Sequence, residues 1–502
     1  MLKMQLFLEG TRLLLSEPTC FLWIIFGVTV GITFGAIPGL TTTMAIATFV
    51  PLTYSLSPVQ AMCTIIGLFV GGISGGLISA ILLNIPGTPS SVATCFDGRP
   101  MALKGQADKA IGAGILFSFL GTLFSIAALV TIAPILASIA IKFGPHEYFA
   151  VIFFSLSLII TLSSSSLRKG LIAGILGLML ATVGLDPIVA SPRFTFNIVD
   201  VRSGFNTLTV MLGMYAIPEI LLSVENLKSL SQSQILQTEF NMRGFGITFS
   251  EFKSQIINYL RSSAIGTVIG ILPGIGGGTS NIIAYTVAKE QSKNPEEFGK
   301  GKLDGIVASE TANNATIGSA MIPLLTLGIP GDTNTAIMLG ALAIHGITPG
   351  PLIFENHGPL VYGIFIALVL ASFAMLVIET LGLKVFVKAL ETPKFLLFPM
   401  IFVVCVIGAF GLNNRLFDAA AMLVFGILGY MLCKLEYPRP PLILGFVLGS
   451  LFETHFRRAL MASQGDISDF FTRPISAVFI IFTLGYVVYS IFKLKKASRA
   501  QC

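Results

Sequence analysis

The sequence has 502 residues, of which 54% are hydrophobic and only 11% are charged, with a formal net charge of +6. Soluble domains carry about 25% charged residues, so a soluble fold of this length is excluded. The 31 Lys and Arg residues are scattered among short loops. This scattered distribution argues against nucleic-acid binding. In a membrane protein, Lys and Arg are enriched in the cytoplasmic loops, so their positions indicate the orientation of the chain in the bilayer. The composition predicts an all-α polytopic membrane protein in a lipid bilayer.

A bilayer core of about 30 Å needs about 20 apolar residues per helix, and the apolar runs predict roughly 10–14 transmembrane helices, including broken or re-entrant ones. In the first half the runs are residues 21–37, 40–54, 61–83, 111–141, 148–162, 171–185 and 208–222. The second half has a run that ends at Pro273-Gly274, and then residues 360–383, 396–411, 419–433, 442–452 and 475–492. The basic tail that follows, Lys493 to Arg499, predicts a cytoplasmic C-terminus.

The two halves of the chain share short motifs in the same order. The motif GITFGAIPGL at residues 31–40 returns as GTVIGILPGI at 266–275, and GILGLML at 174–180 returns as GILGYML at 426–432. We therefore predict a first transmembrane repeat at 1–224, a polar linker with a short surface helix at 225–251, and a second repeat at 252–502 with a C-terminal helix and basic tail. Paired halves with interrupted segments are typical of secondary transporters that bind substrate between their repeats.

Four Pro-Gly breaks interrupt the apolar runs. Proline ends a helix and glycine permits unusual backbone angles, and such a break survives in hydrocarbon only inside protein or beside a wet cavity. Polar residues follow each break, and the start of a new half-helix favours an anion such as a carboxylate. Plain structural kinks are the alternative. The substrate-binding residues predicted from the breaks are Pro38, Gly39, Thr41, Pro86, Gly87, Thr88, Ser90, Pro273, Gly274, Thr279, Ser280, Pro330, Gly331 and Thr333.

Two acidic residues lie near the breaks and are candidates for ion coupling. Glu310, followed by Asn313 and Asn314, precedes an apolar run, and Asp332 stands at the fourth break. A carboxylate with amide oxygens nearby could bind Na⁺ or carry a proton. The alternatives are a helix cap for Asp332 and a loop position for Glu310. The segment 274–280 lacks the lysine of a phosphate-binding loop, which argues against ATP-driven transport, and we expect no cofactor and no bound metal apart from the coupling ion.

Two long blocks, residues 79–112 and 299–351, closely resemble signatures of the large permease subunit of tripartite tricarboxylate transporters, and the resemblance extends over nearly the whole chain. It implies a multi-pass protein of the bacterial inner membrane that imports citrate or other carboxylates. The driving force would be a Na⁺ or H⁺ gradient. The implied partners are a small membrane subunit and a periplasmic solute-binding protein.

By position, the resemblance also points to Asn84 in the first block and to Asn313 and Asn314 in the second as substrate-binding residues, and to Glu310. The ion-coupling candidates are Glu310, Asn314 and Asp332. This sequence departs from the family pattern at two places. Ser309 stands where proline is usual, and Asp332 stands where a small hydroxyl residue is common. An acidic group beside a carboxylate site repels the substrate unless a cation lies between them, so the departure leaves the identity of the substrate open.

Two other classes of function compete with a coupled transporter. An intramembrane enzyme needs a nucleophile with a base, or a metal-ligand set, at membrane depth, and the sequence shows no such pairing. We therefore expect no catalytic residues. A channel-like component without ion coupling would need no acids and amides beside its broken helices. Dependence of uptake on an ion gradient separates the channel from the transporter.

Overall fold

The structure, a computed structural model, describes residues 2–158, 167–225, 244–390, 392 and 394–500, which are mostly helical. The first-half helices are α1 (Leu2–Ser16), α2 (Thr19–Ala36), α3 (Thr42–Phe49), α4 (Pro58–Leu83), α5 (Val92–Leu103), α6 (Ala107–Ala140), α7 (Pro145–Ser157), α8 (Leu167–Ala181), α9 (Thr207–Met211) and α10 (Ile217–Glu225). A π-helical turn, Leu212–Ala216, joins α9 to α10. Strands β1 (Gly184–Leu185) and β2 (Pro192–Arg193) form an antiparallel pair.

The second half is built in the same way from helices of very different length. They are α11 (Phe249–Ser254), α12 (Ile256–Ile271), α13 (Gly276–Glu290), α14 (Leu303–Leu327), α15 (Thr333–Ile344), α16 (Ile353–Asn356), α17 (Gly358–Ala389), α18 (Lys394–Asn413), α19 (Leu416–Lys434), α20 (Arg439–Ala462), α21 (Asp469–Thr472) and α22 (Pro474–Ala500). Short 3-10 turns lie at Val50–Ser55, Pro89–Ser91, Asp200–Ser203 and Pro295–Glu297.

Five of the described helices are long and apolar enough to cross a membrane, namely α2, α4, α6, α17 and α19. Five shorter apolar helices of 10–17 residues accompany them. Large apolar side chains face outward on several helices, such as Leu381 and Val385 of α17. A protein surface of this kind suits hydrocarbon, in which helices satisfy their own backbone groups. The predicted all-α polytopic membrane class is confirmed.

Helices α4 and α14 are the two central helices, and each packs closely with a shorter partner. Gly27 of α2 lies against Thr64 of α4, and two turns later Gly35 lies against Gly72, so α2 and α4 run parallel. In the second half, α12 packs on α14 through Gly266 and Gly270 in the same manner. Small residues let two helix backbones approach closely, which is the usual way membrane helices associate.

Helices α4 and α6 run in opposite directions. Near the end of α4, Ile81 lies against Gly98 of α5, shortly before the chain turns into α6. Earlier on α4, Leu77 lies against Gly114 of α6. Gly76 of α4 also lies against Ser91, directly before α5, so α5 runs parallel to α4.

Helix α5 runs antiparallel to α14, since Thr94 contacts Ser309 and the later Asp97 contacts the earlier Gly305. Helix α4 is therefore antiparallel to α14.

Helices α6 and α14 run parallel, since Gly121 of α6 lies against Thr311 and Ser125 lies against Gly318. It follows that the α2–α4 pair and the α12–α14 pair point in opposite directions. Two such pairs, each interrupted by Pro-Gly, have the orientation of inverted-topology repeats. The division of the chain at residues 225–251 stays a prediction. Residues 226–243 of that linker lie outside the described residues, and α11 begins at Phe249.

The structure corrects three details of the sequence analysis. Glu310 is not a loop residue, because α14 begins at Leu303 and buries it completely. The apolar run at 171–185 is not helical to its end, since α8 stops at Ala181 and β1 follows. The run at 442–452 belongs to a much longer helix, α20, which continues to Ala462 through residues that are too polar to stand out as a span.

Candidate substrate-binding site

The segments that follow the four Pro-Gly breaks meet around one cavity of about 290 Å³. Its wall includes residues 41–43, 88–90, 274–279 and 332–334, one segment from each break. Ile73 of α4 and side chains from α10, α20 and the π turn complete the wall. The cavity therefore lies between the two oppositely directed helix pairs, where ligand sites of repeat-built transporters are found.

Hydrogen bonds join the breaks of one half to each other and to those of the other half. Thr43 donates to Oδ1 of Asn334 at 2.7 Å, which links the first turn of α3 to that of α15. The backbone N–H of Gly274 donates to the Gly331 carbonyl at 2.7 Å and so connects two breaks directly. These bonds satisfy backbone and side-chain groups that the helix breaks would otherwise leave unpaired inside the protein.

The half-helices differ in how their first turns are satisfied. Thr41 caps α3 by accepting a hydrogen bond from the Met44 amide at 3.1 Å. Asp332 caps α15 by accepting from the Thr335 amide at 2.8 Å, so the cap interpretation of Asp332 holds. Helix α13 begins at Gly276 without a side-chain cap. Its first-turn N–H groups lie in the cavity wall and, together with the helix dipole, favour an anion there.

The predicted substrate-binding residues divide into those in the cavity wall and those behind it. The wall contains Thr41, Thr88, Ser90, Gly274, Thr279 and Thr333, together with the ion-coupling candidate Asp332. The residues outside the wall are Pro38, Gly39, Asn84, Pro86, Gly87, Pro273, Ser280, Asn313, Asn314, Pro330 and Gly331.

The residues outside the wall shape the breaks. Gly87 approaches the Gly35 carbonyl so closely that a side chain there would collide with it. Asn84 ends α4 in the left-handed conformation, with φ of 56°, and is exposed. Asn313 lies directly behind the wall, since a Cβ on Gly277 would come within 2.6 Å of Asn313 Oδ1. Their predicted roles in substrate binding stay predictions.

Glu310 lies inside the helix bundle, away from the cavity wall. Its carboxylate accepts hydrogen bonds from Thr94 of α5, from Ser118 of α6 at 3.1 Å and from Asn314 at 3.4 Å. Side chains from three helices therefore form hydrogen bonds with the carboxyl group of Glu310. Asn314 also donates to the Ser118 hydroxyl at 2.8 Å, which joins both ion-coupling candidates on α14 to one network.

A charged pair in the wall is absent from the residues predicted from the sequence. Arg439 and Glu219 form an ion pair with an Nη2 to Oε1 distance of 2.6 Å, and both line the cavity with Tyr215 and Pro440. One signal was present in the sequence. Arg439 lies between two prolines directly before an apolar run, and Glu219 follows Pro218 within another. Ionisable residues in such positions are functional candidates.

A polytopic helical protein in which broken helices from two opposed halves meet at a polar cavity has the architecture of a membrane transport protein. Comparison with known families agrees with this class. The model of the tripartite tricarboxylate transporter TctA family matches residues 21–444. The chain belongs to this family, whose members are components of tripartite membrane transporters.

Two relatives from Agrobacterium vitis are similar to the chain. One, the "Uncharacterized 52.8 kDa protein in TAR-I ttuC' 3'region", is 36% identical over 483 residues and covers 96% of this chain and 95% of the relative. The other, the "Uncharacterized protein in TAR-II ttuC' 3'region", is 39% identical over 236 residues and covers 47% of this chain and 98% of the relative. No solved structure matches the chain.

Proposed function

We propose that the chain is the large permease subunit of a secondary, ion-coupled tripartite importer for citrate or other carboxylates in a bacterial inner membrane. It receives its substrate from a periplasmic solute-binding protein and works with a small membrane subunit. Na⁺ or H⁺ drives uptake, and no cofactor takes part. The observation that carries this proposal is the cavity in which all four broken segments meet and which the uncapped first turn of α13 lines.

The cavity suits an anionic substrate because its wall is rich in N–H and O–H donors. Backbone amides of residues 276–278 and hydroxyls of Thr41, Thr88 and Thr333 surround it. Helix N-termini bind carboxylates without a full positive charge. The acidic Asp332 directs its carboxylate to its own helix start, so its charge is partly neutralised by the α15 dipole.

Ion coupling rests on the buried network around Glu310. A carboxylate that lies at membrane depth and is held by three other side chains is expensive to maintain unless it has a function. In a protein of this type the group either exchanges a proton or helps to bind a cation. We retain both ions in the proposal.

The test is uptake of labelled citrate, malate and succinate into liposomes that contain the complete transporter, with its solute-binding protein inside or outside. Na⁺ and H⁺ gradients are imposed separately. We expect uptake of at least one carboxylate, above the level seen without a gradient. Uptake that is equally fast without any gradient would support the channel-like alternative, and no carboxylate uptake at all would refute the proposal.

The choice of variants follows from the geometry. Substitution of Gly87 or Gly331 by Val would test the breaks but would also disturb packing, because both glycines lie in contact with a neighbouring backbone. Thr333→Val and Thr279→Val change the wall without such collisions. We expect both to weaken uptake while expression stays normal. Thr286→Val on the exposed side of α13 is the matched control.

A further inference from the structure

Arg439 is the cation that lines the cavity among the residues in the described ranges. It stands in the first turn of α20, and its side chain is only 19% exposed. The guanidinium donates through Nη2 to Glu219 at 2.6 Å and through Nη1 to the Met214 carbonyl at 3.3 Å. The guanidinium of Arg439 is therefore largely shielded from bulk water and lies at the wall of the cavity.

The segment opposite Arg439, the π turn and the start of α10, provides the groups that contact its guanidinium. Pro218 has no amide hydrogen, so the carbonyl of Met214, four residues earlier, lacks its usual α-helical donor and is free to accept from Arg439. The π turn just before Pro218 carries Tyr215, which lies on the same helix face as Glu219, four residues later. The guanidinium carbon lies 5.6 Å from the centre of the Tyr215 ring. One edge of the guanidinium is thus fixed by groups of a single helix.

The other donors of Arg439 remain for a ligand. A guanidinium has five N–H donors in a planar fork, and the described residues use one on Nη1 and one on Nη2. Such a fork matches the two oxygens of a carboxylate, and charge-assisted hydrogen bonds of this kind are about twice as strong as neutral ones. A carboxylate that reaches the cavity finds here its strongest partner.

We infer that Arg439 binds one carboxylate group of the transported substrate, with Glu219 and the Met214 carbonyl as positioning groups. This inference rests on the proposed function. The uncapped start of α13 offers a second anion site in the same wall. Two separate sites for negative groups select substrates with at least two carboxylates over monocarboxylates. Arg439 is then a specificity-determining residue of the permease.

The test compares variants that remove the cation without leaving a lone buried charge. Arg439→Gln alone strands Glu219, and breaking one side of a buried pair is strongly destabilising. The double variant R439Q/E219Q removes both charges. The matched control is R193Q/E453Q, which removes an ion pair with the same 2.6 Å contact and similar exposure, 25% and 21%, outside the cavity wall.

The assay is uptake of citrate, malate and succinate and of their half-amides, each of which has one carboxylate fewer. For the best substrate we expect R439Q/E219Q to raise the half-saturating concentration at least about tenfold, as for the loss of a charge-assisted hydrogen bond. In the same variant, the half-saturating concentrations of the acid and of its half-amide should be nearly equal. The control R193Q/E453Q should keep wild-type values for both.

A positioning role for Glu219 has its own readout. Glu219→Asp keeps the charge of the pair but shortens the side chain that positions Arg439, so it should raise the half-saturating concentration more than it lowers the maximal rate. Wild-type affinity and acid-over-amide preference in R439Q/E219Q would overturn the inference while leaving the proposed function intact. If the wild-type transporter takes up none of the carboxylates, the proposed function fails and this inference fails with it.

Discussion

Thr43 of α3 donates a 2.7 Å hydrogen bond to Oδ1 of Asn334 on α15, across 291 positions of sequence. Both residues stand in the first turn of a half-helix that follows a Pro-Gly break, and both line the cavity. The bond therefore joins the half-helix after the first break of one half to the half-helix after the second break of the other half, beside the proposed substrate. A movement that separates α3 from α15 must lengthen or break it.

We predict that Thr43→Val destabilises the protein by about 1–2 kcal/mol, since it removes a donor and leaves the buried Asn334 oxygen without it. Thr43→Ser keeps the hydroxyl and should remain close to wild type. The midpoint of thermal unfolding of the purified protein, with no substrate added, measures both variants. Equal midpoints for Val and Ser would show that the bond does not hold the two breaks together.

The close packing of α2 on α4 gives a second prediction. A Cβ on Gly31 would lie 2.6 Å from the Leu68 carbonyl oxygen and 2.8 Å from the Gly72 amide nitrogen. Gly31→Ala should cost about 1–3 kcal/mol through overpacking. Gly485 of α22 is the matched control, because a Cβ there meets nothing within 4 Å. Gly485→Ala should be neutral or slightly stabilising, and similar losses for both variants would contradict the packing argument.

The breaks could be predicted from sequence because their causes are local. A proline removes its own amide hydrogen wherever it stands, and the glycine beside it permits the turn. Helix α2 accordingly ends at Ala36 and α12 at Ile271, just before their Pro-Gly pairs. Threonine and aspartate after a break cap the next helix for the same local reason, as Thr41 and Asp332 do.

The Arg439–Glu219 pair could not be predicted, because its two members are 220 residues apart and meet only through the packing of α20 against the π turn. The burial of Glu310 could not be predicted from the sequence either. A carboxylate near a polar loop has the pattern of a surface residue, and what allows its burial is supplied by Thr94 and Ser118 on other helices. The Arg439–Glu219 pair and the burial of Glu310 both depend on residues that are distant from each other in the sequence.

The buried carboxylate of Glu310 gives a third prediction. Glu310→Gln keeps the shape and the hydrogen bonds to Ser118 and Asn314 but can neither carry a charge nor exchange a proton. We expect gradient-driven uptake to fall to background. Glu379→Gln is the comparison, since Glu379 is also fully buried but bonds to Ser74 on α4 and to none of the side chains that hold Glu310.

The measurement is uptake at several pH values and Na⁺ concentrations for both variants. Proton coupling through Glu310 predicts that E310Q loses the pH dependence of uptake, whereas a cation site predicts a higher half-saturating Na⁺ concentration. Wild-type ion dependence in E310Q would remove Glu310 from the coupling mechanism, whereas an equal loss in E379Q would place Glu379 in that mechanism as well.

Asp97 connects α5 to the loop before α14 and gives a fourth prediction. Its Oδ1 accepts from the amides of Gly299, Gly301 and Lys302 at 2.8–2.9 Å, and its Oδ2 accepts from the Tyr285 hydroxyl at 2.9 Å. Asp97→Asn keeps the shape but weakens charge-assisted bonds, at a cost of about 1–3 kcal/mol. Thermal unfolding should show the loss, whereas Asp200→Asn, at an exposed carboxylate, should not. Equal midpoints for the two variants would rule out a stabilising link at Asp97.

Asp186, in the loop between α8 and α9, gives a prediction on pH. The Val189 and Ile188 amides, each at 2.8 Å, and the Arg457 guanidinium hold the pKa of Asp186 at about 2. Because an unfolded aspartate has a pKa of about 3.9, this stabilisation is complete above that pH and is lost as pH falls through about 2. The gap in thermal midpoint between wild type and Asp186→Asn should therefore be constant from pH 7 to 5 and should shrink as the pH is lowered toward 2. Glu355→Gln, at an exposed carboxyl of α16, should show no comparable change, and a gap that widens in acid would contradict the ionised, amide-bound Asp186.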